Sequence, residues 1–345
     1  MFYVPFVNTI LFPIAYLSLL FYPLDYLLTI LIKVLEVSSL YISKISFGKV
    51  IFPKLNIIYY LLYFIVIYLI YKNNKKLTII FLTTFFIFNY SYKSIFNSDY
   101  VYFFDVGQGD STLLHLDNKN ILIDTGGKEN KNIVNNTQIP YFKSDGIRKI
   151  DYLIITHGDY DHMGEAINLV NNFKVEKVIL NCGPYNDLEK ELIKVLDKKI
   201  IKYYSYIKQL NIDKNKLYFL QTKEYDNEND NSNVIYTELK GYKFIFMGDA
   251  SVTTEKEILN KYNLSDIDVL KVGHHGSRTS TSKEFIDEIN PQYSIISVGK
   301  NNRYGHPNKE VLDALDKTKI YRTDQDGSIM FKLKNTILKI ETCKH

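Results

Sequence analysis

Hydrophobic and polar positions divide the chain near residue 98. Before it, apolar residues run in blocks without a polar face: 4–22, broken by Pro5 and Pro13; 24–35, holding Asp25 and Lys33; then 57–71 and 77–90. Such blocks predict helices of membrane type. The last two are 15 and 14 residues long, and flanking residues bring them to 17 and 16. Roughly 20 residues span a bilayer core, so both are marginal. Residues 38–54 carry Lys44, Lys49 and Lys54 among apolar residues, which suits an interfacial helix. Met1–Tyr3 has no basic residue and apolar blocks follow, so a cleaved signal peptide is not expected.

From residue 99 the pattern is that of a folded α/β domain. Short strands are predicted at 101–105, 112–116 and 121–124, separated by Gly-Gln-Gly-Asp and Asp-Asn-Lys-Asn turns. Strands at 152–156 and 175–180 then alternate with helices at 163–173 and 187–199. A polar loop covers 221–233. After it come strands 234–238 and 242–247, helix 252–261, strand 267–272, helix 282–289, strand 293–298, helix 308–316 and strands 318–322 and 328–333. Paired strands mixed with strand–helix alternation predict helices covering mixed sheets. The expected domains are 1–98, helical and membrane-embedded, and 99–345, a layered α/β domain.

Charge and cysteine narrow the function classes. Residues 1–98 hold eight Lys against Asp25 and Glu36, and the remainder holds 34 basic against 36 acidic residues. The C-terminal part is therefore not a basic nucleic-acid domain by bulk charge. An anionic substrate must be drawn by a local patch or by bound metal. Cys182 and Cys343 are too few for a disulfide scaffold or a Cys₄ zinc site. Lys72, Lys75 and Lys76 stand in one short loop, which the positive-inside rule assigns to the cytoplasm. The domain after residue 98 is then extracytoplasmic on a multi-pass cell-membrane protein.

Candidate chemistry lies at three strand ends. An apolar strand runs into Thr156-His157-Gly158-Asp159-Tyr160-Asp161-His162, placing four ligand-type side chains in six residues. Such a loop can converge on two cations about 3.5–4 Å apart. Imidazole with carboxylate suits Zn, Mn or Fe. Alone, the heptad could also be a solvated acidic turn with two surface His, the weaker of the two readings. Asp249 follows the strand ending at Met247, where it can bridge two cations, and His274 and His275 follow the strand ending at Val272. Three ligand groups at strand mouths point to one site at one edge of the sheets.

In this order, His157-x-Asp159-x-Asp161-His162, Gly248-Asp249 and His274-His275-Gly-Ser resemble the metallo-β-lactamase superfamily. Phe104-Asp105-Val106-Gly107-Gln108-Gly109-Asp110-Ser111, Ile123-Asp124-Thr125-Gly126-Gly127, Ser297-Val298-Gly299 and Tyr304-Gly305-His306-Pro307 narrow the likeness. They resemble the extramembrane domain of the DNA-internalisation competence family, ComEC, over about 100–333. The resemblance implies an αββα sandwich preceded by the closing membrane helices of that family's channel. It also implies two divalent metal ions, Zn or Mn. His157 and Asp159 would hold one ion. Asp161 and His162 would hold the other, with Asp249 bridging and one of His274 and His275 completing the second site; His274 lies nearer the strand end.

The chain departs from the commoner pattern in three places, one of them Gly164-Glu165, where two Gly are common. Asp159 stands where His is usual, and no His lies between His162 and His274. One site is thus oxygen-rich, favouring Mn or a loosely held Zn. Asn229-Asp230-Asn231-Ser232 falls near the missing His.

Other residues carry paired readings. Asp105 and Asp110 either support the ligands and a phosphate or close a hairpin turn. Asp124 backs a ligand His. Ser277 binds phosphate oxygens or caps a helix. His306 protonates a leaving group, contacts phosphate, or is structural. The expected function is a membrane-tethered, metal-dependent phosphodiesterase on DNA. Two cations lower the pKa of one water, and Asp159 or Asp161 orients its attack on phosphorus. DNA as substrate is what the resemblance implies. The alternatives are a hydrolase of a small non-nucleic ester, or a DNA-transport component without catalysis. The family carries further membrane helices and another domain upstream. Expected partners are therefore the lipid bilayer, DNA and a separately encoded channel subunit.

Overall fold

The computed structural model describes residues 6–44, 57–96, 98–128, 131–220, 223–334 and 337–343. Of the expected interfacial segment 38–54, residues 38–44 are helical and 45–54 lie outside the described residues, as does the start of the polar loop, 221–222. The chain forms two compact units, Met1–Ile51 and Phe52–His345.

In the first unit, helix Phe12–Ser18 starts at a Pro in its first turn, and Pro23 opens a second helix, Pro23–Lys44. Proline is tolerated there because the first N–H groups of a helix have no partner inside it. Leu19, Leu20 and Tyr22, at the turn between these helices, are 81%, 77% and 85% exposed. The second unit begins with helices Ile57–Tyr71 and Lys75–Phe96. The former rises about 22 Å at 1.5 Å per residue, short of the roughly 30 Å bilayer core. Among the described residues no helix is long and apolar enough to cross a membrane. The crossing part of the expectation therefore has no element among them to carry it.

The rest is a two-sheet sandwich. The first eight strands are β1 Tyr100–Phe103, β2 Thr112–Leu116, β3 Lys119–Ile123, β4 Tyr152–Ile154, β5 Lys177–Ile179, β6 Lys202–Tyr204, β7 Gln209–Ile212 and β8 Asn215–Phe219. The others are β9 Ile235–Leu239, β10 Tyr242–Phe246, β11 Val269–Lys271, β12 Tyr293–Ile296, β13 Lys319–Arg322, β14 Ser328–Lys334 and β15 Ile337–Cys343. One sheet has the order β15-β14-β1-β2-β3-β4-β5-β6, the other β13-β12-β11-β10-β9-β8-β7. The strands from β3 to β6 are parallel, as are those from β10 to β13.

Side chains alternate across each strand, so each sheet has an inner and an outer face. Phe103, Leu114, Ile154, Phe244, Phe246 and Ile295 meet between the sheets. The outer face of the first sheet packs on helices Ile139–Ser144, Ala166–Asn172 and Asp187–Lys199. Helices Val252–Lys261, Lys283–Ile289 and Lys309–Ala314 cover the second. This is the αββα layering that the family resemblance implies, with helices covering mixed sheets as the alternation predicts. The heptad loop follows β4, Asp249 follows β10, and the His pair follows β11. β10 and β11 are parallel neighbours and end on the same side, and the Asn233 N–H on the Thr156 carbonyl at 2.9 Å brings the loop after β4 to that rim.

Candidate metal centre

The rim loops are held together by close backbone approaches. Asp110 N–H donates to the Asp161 carbonyl at 3.1 Å, and a Cβ on Gly109 would lie 2.3 Å from that oxygen. Only glycine lets the Gly-Gln-Gly turn reach the heptad loop. Gly248 has φ +55°, and a Cβ there would lie 2.9 Å from Ser232 Cβ. Ser232 Oγ accepts the Asp249 N–H at 3.1 Å, and Asn233 donates to the Ile155 carbonyl at 2.9 Å. The Asn-and-Ser stretch thus ties the Asp249 loop to the end of β4. His274 and His275 both adopt left-handed backbone conformations, φ 47° and 55°. That conformation costs an L-residue roughly 1–2 kcal/mol, which the surrounding packing must offset.

Asp249 is buried at the middle of the site, and each of its oxygens faces two imidazoles. Oδ1 lies 3.0 Å from His162 Nε2 and 3.9 Å from His275 Nε2. Oδ2 lies 3.8 Å from His157 Nε2 and 3.7 Å from His274 Nε2. Asp161 Oδ2 is 3.1 Å from His275 Nε2, and Asp159 Oδ2 is 3.5 Å from His157 Nε2. All seven expected ligand residues therefore gather here.

Supporting groups fix the rings. Asp124, itself at φ 58°, accepts from His162 Nδ1 at 2.8 Å and from the Thr156 hydroxyl at 2.6 Å. His275 Nδ1 donates to the Ser297 carbonyl at 2.9 Å. Each bond holds a proton on Nδ1 and turns Nε2 toward Asp249.

The other singled-out residues are placed as follows. Asp110 is buried in the centre, its Oδ1 3.4 Å from His275 Nδ1. Asp105 accepts the Gly107 N–H within its own turn at 2.9 Å. Ser277 Oγ pairs with Thr279 Oγ1 at 3.0 Å. The His306 ring lies 5.8 Å from that of His274, and its buried Nδ1 makes no hydrogen bond.

Sequence reasoning missed Lys271. It ends β11, is 2% exposed, and donates to Asp110 Oδ2 and, at 3.0 Å, to the Val272 carbonyl. The available signal was a lysine inside the otherwise apolar run Val269-Leu270-Lys271-Val272.

These contacts set the charges. Burial disfavours ionised Asp249, but His162 and His275 outweigh it and hold its carboxyl well below the usual range. Burial likewise opposes ionisation of Asp110, yet Lys271 and His275 keep it low. Asp161 is held at about 2, the two imidazoles outweighing burial. In the ion-free protein, burial opposes the charge on His275, but Asp249 and Asp110 raise it to about 10.

The donor set fits divalent cations. Nε2 of His157, His162 and His275 and Oδ1 of Asp249 are buried and make no hydrogen bond. Such groups are costly unless something else satisfies them. Asp110, His162, Asp249 and His275 each offer a ligand atom within 4.8 Å of one another. Buried imidazole and carboxylate with no thiolate suit a borderline or hard cation.

Comparison with known proteins agrees with this chemistry. The metallo-beta-lactamase superfamily model matches residues 104–300. The chain is 34% identical over 254 residues to ComE operon protein 3 of Bacillus subtilis, covering 68% of this chain and 33% of that protein. It is 30% identical over 235 residues to Competence protein ComA of Neisseria gonorrhoeae, covering 66% and 31%. It is 28% identical over 252 residues to Recombination protein 2 of Haemophilus influenzae, covering 70% and 29%. The chain spans about a third of the length of these curated relatives. Fold, strand-end donors and superfamily match lead to one conclusion: the chain belongs to the metallo-beta-lactamase superfamily and is similar, within it, to competence proteins.

Proposed function

We propose that the chain is a bilayer-associated phosphodiesterase that cleaves DNA during its uptake, using two divalent cations, Zn or Mn. The observation that carries this reading is the placement of Asp249, with two imidazoles at each of its two oxygens. That arrangement suits a carboxylate shared by two ions. His157 and Asp159 would hold one. Asp161, His162 and His275 would hold the other. Cations at such a set supply Lewis acidity, lowering the pKa of water and offsetting charge on phosphoryl oxygens.

The chain's own residues do the rest. Asp124 and the Ser297 carbonyl keep the His162 and His275 lone pairs aimed inward. Asp161 and Asp159, more open than Asp249, orient the attacking water. His306 stands beside His274, where its ring N–H would donate a hydrogen bond to a phosphoryl or leaving oxygen. DNA as substrate is supported by similarity to proteins named for competence and recombination. The exposed apolar side chains at the Leu19–Tyr22 turn support lipid contact. Lys72, Lys75 and Lys76 support a cytoplasmic turn and an extracytoplasmic hydrolase domain, and a separately encoded channel subunit would complete the assembly.

The test is cleavage of single- and double-stranded DNA by the full chain with Mn²⁺ or Zn²⁺, with Asp249→Ala as control. Loss of at least about 10³-fold is expected, since metal-site and charge-stabilising groups carry effects of that size. Undiminished cleavage by Asp249→Ala would refute the site. Turnover of small phosphodiesters without DNA cleavage would refute the substrate.

A further inference from the structure

We propose that the outer face of β7, β8 and β9 is a seat for single-stranded DNA. This deepens the substrate reading above and rests on it for the choice of DNA. Beyond the end of helix Val252–Lys261 the second sheet carries a groove of about 920 Å³. In β8, Asn215, Leu217 and Phe219 are buried while Lys216 and Tyr218 point outward. Tyr218 pairs with Gln209 on β7 and Tyr236 on β9, and the two tyrosine rings are 6.2 Å apart. Cation and ring alternate on this face, two residues or about 6.8 Å apart along the strand.

The groove's charge is complementary to a polyanion. Lys208, Lys214, Lys216, Lys223 and Lys261 line it, against Glu224 and Glu238. Lys208, Lys214 and Lys216 are exposed, and none is in an ion pair with a described residue, whereas Lys223 is held by Glu257 at 2.8 Å. The domain as a whole is slightly acidic, so this is a local concentration of positive charge. Tyr206 and Tyr218 are 58% and 37% exposed. Exposed rings among unpaired lysines match the two contacts a single strand offers, unstacked base faces and a phosphate backbone. A duplex hides its base faces, which is why the single strand is the fitting occupant.

The groove also adjoins the centre. The Tyr206 hydroxyl donates to Glu224 and accepts the Gly183 N–H at 3.2 Å. A Cβ on Gly183 would lie 3.1 Å from the Asn231 amide nitrogen, and the next residue, Ser232, holds Asp249. A strand seated on β8 thus lies next to the loop that supports the metal ligands.

The test is fluorescence anisotropy of a labelled oligodeoxythymidylate with the full chain in EDTA, where no cleavage occurs. Tyr218→Ala should weaken binding about ten-fold and Tyr218→Phe should not, because stacking needs only the ring. Lys208→Gln with Lys216→Gln should flatten the salt dependence by roughly 0.7 in log–log slope for each lysine. Turnover of bis(p-nitrophenyl) phosphate with Mn²⁺ should be unchanged in all three variants, which reports that they fold. Wild-type affinity in Tyr218→Ala and the lysine variant, or no binding by the wild-type chain, overturns the proposal. A duplex bound as tightly and weakened equally by Tyr218→Ala also overturns it. If no metal yields phosphodiester cleavage but the groove variants still lose the oligonucleotide, the groove stands and the catalytic reading falls.

Discussion

Removing Lys271 isolates one electrostatic element of the centre. Lys271→Met removes the lysine partner of Asp110, which is 5% exposed, and leaves its carboxylate with His275 Nδ1 at 3.4 Å from an Oδ1 that makes no hydrogen bond. Breaking a buried pair by deleting one partner costs about 3–5 kcal/mol. Asp110 limits this by taking up a proton. At pH 7 that escape costs about 4 kcal/mol, from an unfolded pKa near 3.9 at 1.36 kcal/mol per unit. At pH 5 it costs only about 1.5 kcal/mol. In the wild type the Asp110 pKa is depressed, so its contribution is present above the unfolded pKa and lost only as pH falls through the folded one. The deficit of Lys271→Met should therefore shrink as pH falls from 7 to 5. Denaturant unfolding of the full chain in EDTA, across that range, reads it. Asp110→Asn added to Lys271→Met should restore most of the loss, because the carboxylate that lost its lysine is then neutral while His275 keeps Asp161 and Asp249 as anionic neighbours. A deficit independent of pH, or no rescue by the double variant, would show that Lys271 is held for packing and that the pair is incidental.

Three further outcomes follow from the same geometry. Asp124→Asn should weaken divalent-metal affinity about 10–100-fold by freeing the His162 ring, read by competition with a chelator; unchanged affinity would remove Asp124 from its orienting role. Gly109→Ala should cost about 2 kcal/mol or more, since its Cβ meets the Asp161 carbonyl at 2.3 Å. Gly107→Ala, with open space around its Cβ, should cost only about 1 kcal/mol of backbone strain. Denaturant unfolding of both glycine variants checks the contrast, and equal losses would refute it. Burial pushes the Glu189 carboxyl up to about 7. A raised carboxyl pKa penalises folding as pH rises from the unfolded value through the folded one. Glu189→Gln should thus be more stable than wild type at pH 8, by on the order of 2 kcal/mol, and no more stable at pH 4. Equal gains at both pH values would refute the burial argument.

How much of this was legible in the sequence follows from how locally each feature is encoded. Strand β2, helix Asp187–Lys199 and helix Val252–Lys261 fall where the hydrophobic period puts them. The Asn186–Glu189 capping box marks one of those helix starts in the sequence itself. Strands β6, β7, β8 and β15 have no counterpart among the predicted elements. β6 is exposed throughout, and β8 and β15 carry lysines on their outer positions, so their apolar signal is diluted. The predicted helix 163–173 is two helices, Tyr160–Met163 and Ala166–Asn172, because the chain turns at Gly164 and Glu165. Ligand types at strand ends were visible because motif spacing records them. The Lys271–Asp110 pair was not, because its partners are 161 positions apart and meet only when the sheets close.

The centre draws on both sheets. The heptad loop and Asp110 belong to the first, Asp249, Lys271 and the His pair to the second. An ion held by these donors would therefore be a clasp across the sandwich seam, with neither half offering the full set alone. Loading should resist sliding of one sheet over the other far more than it stiffens either sheet. A chain cut between β8 and β9 should regain its metal grip only when the two fragments are mixed.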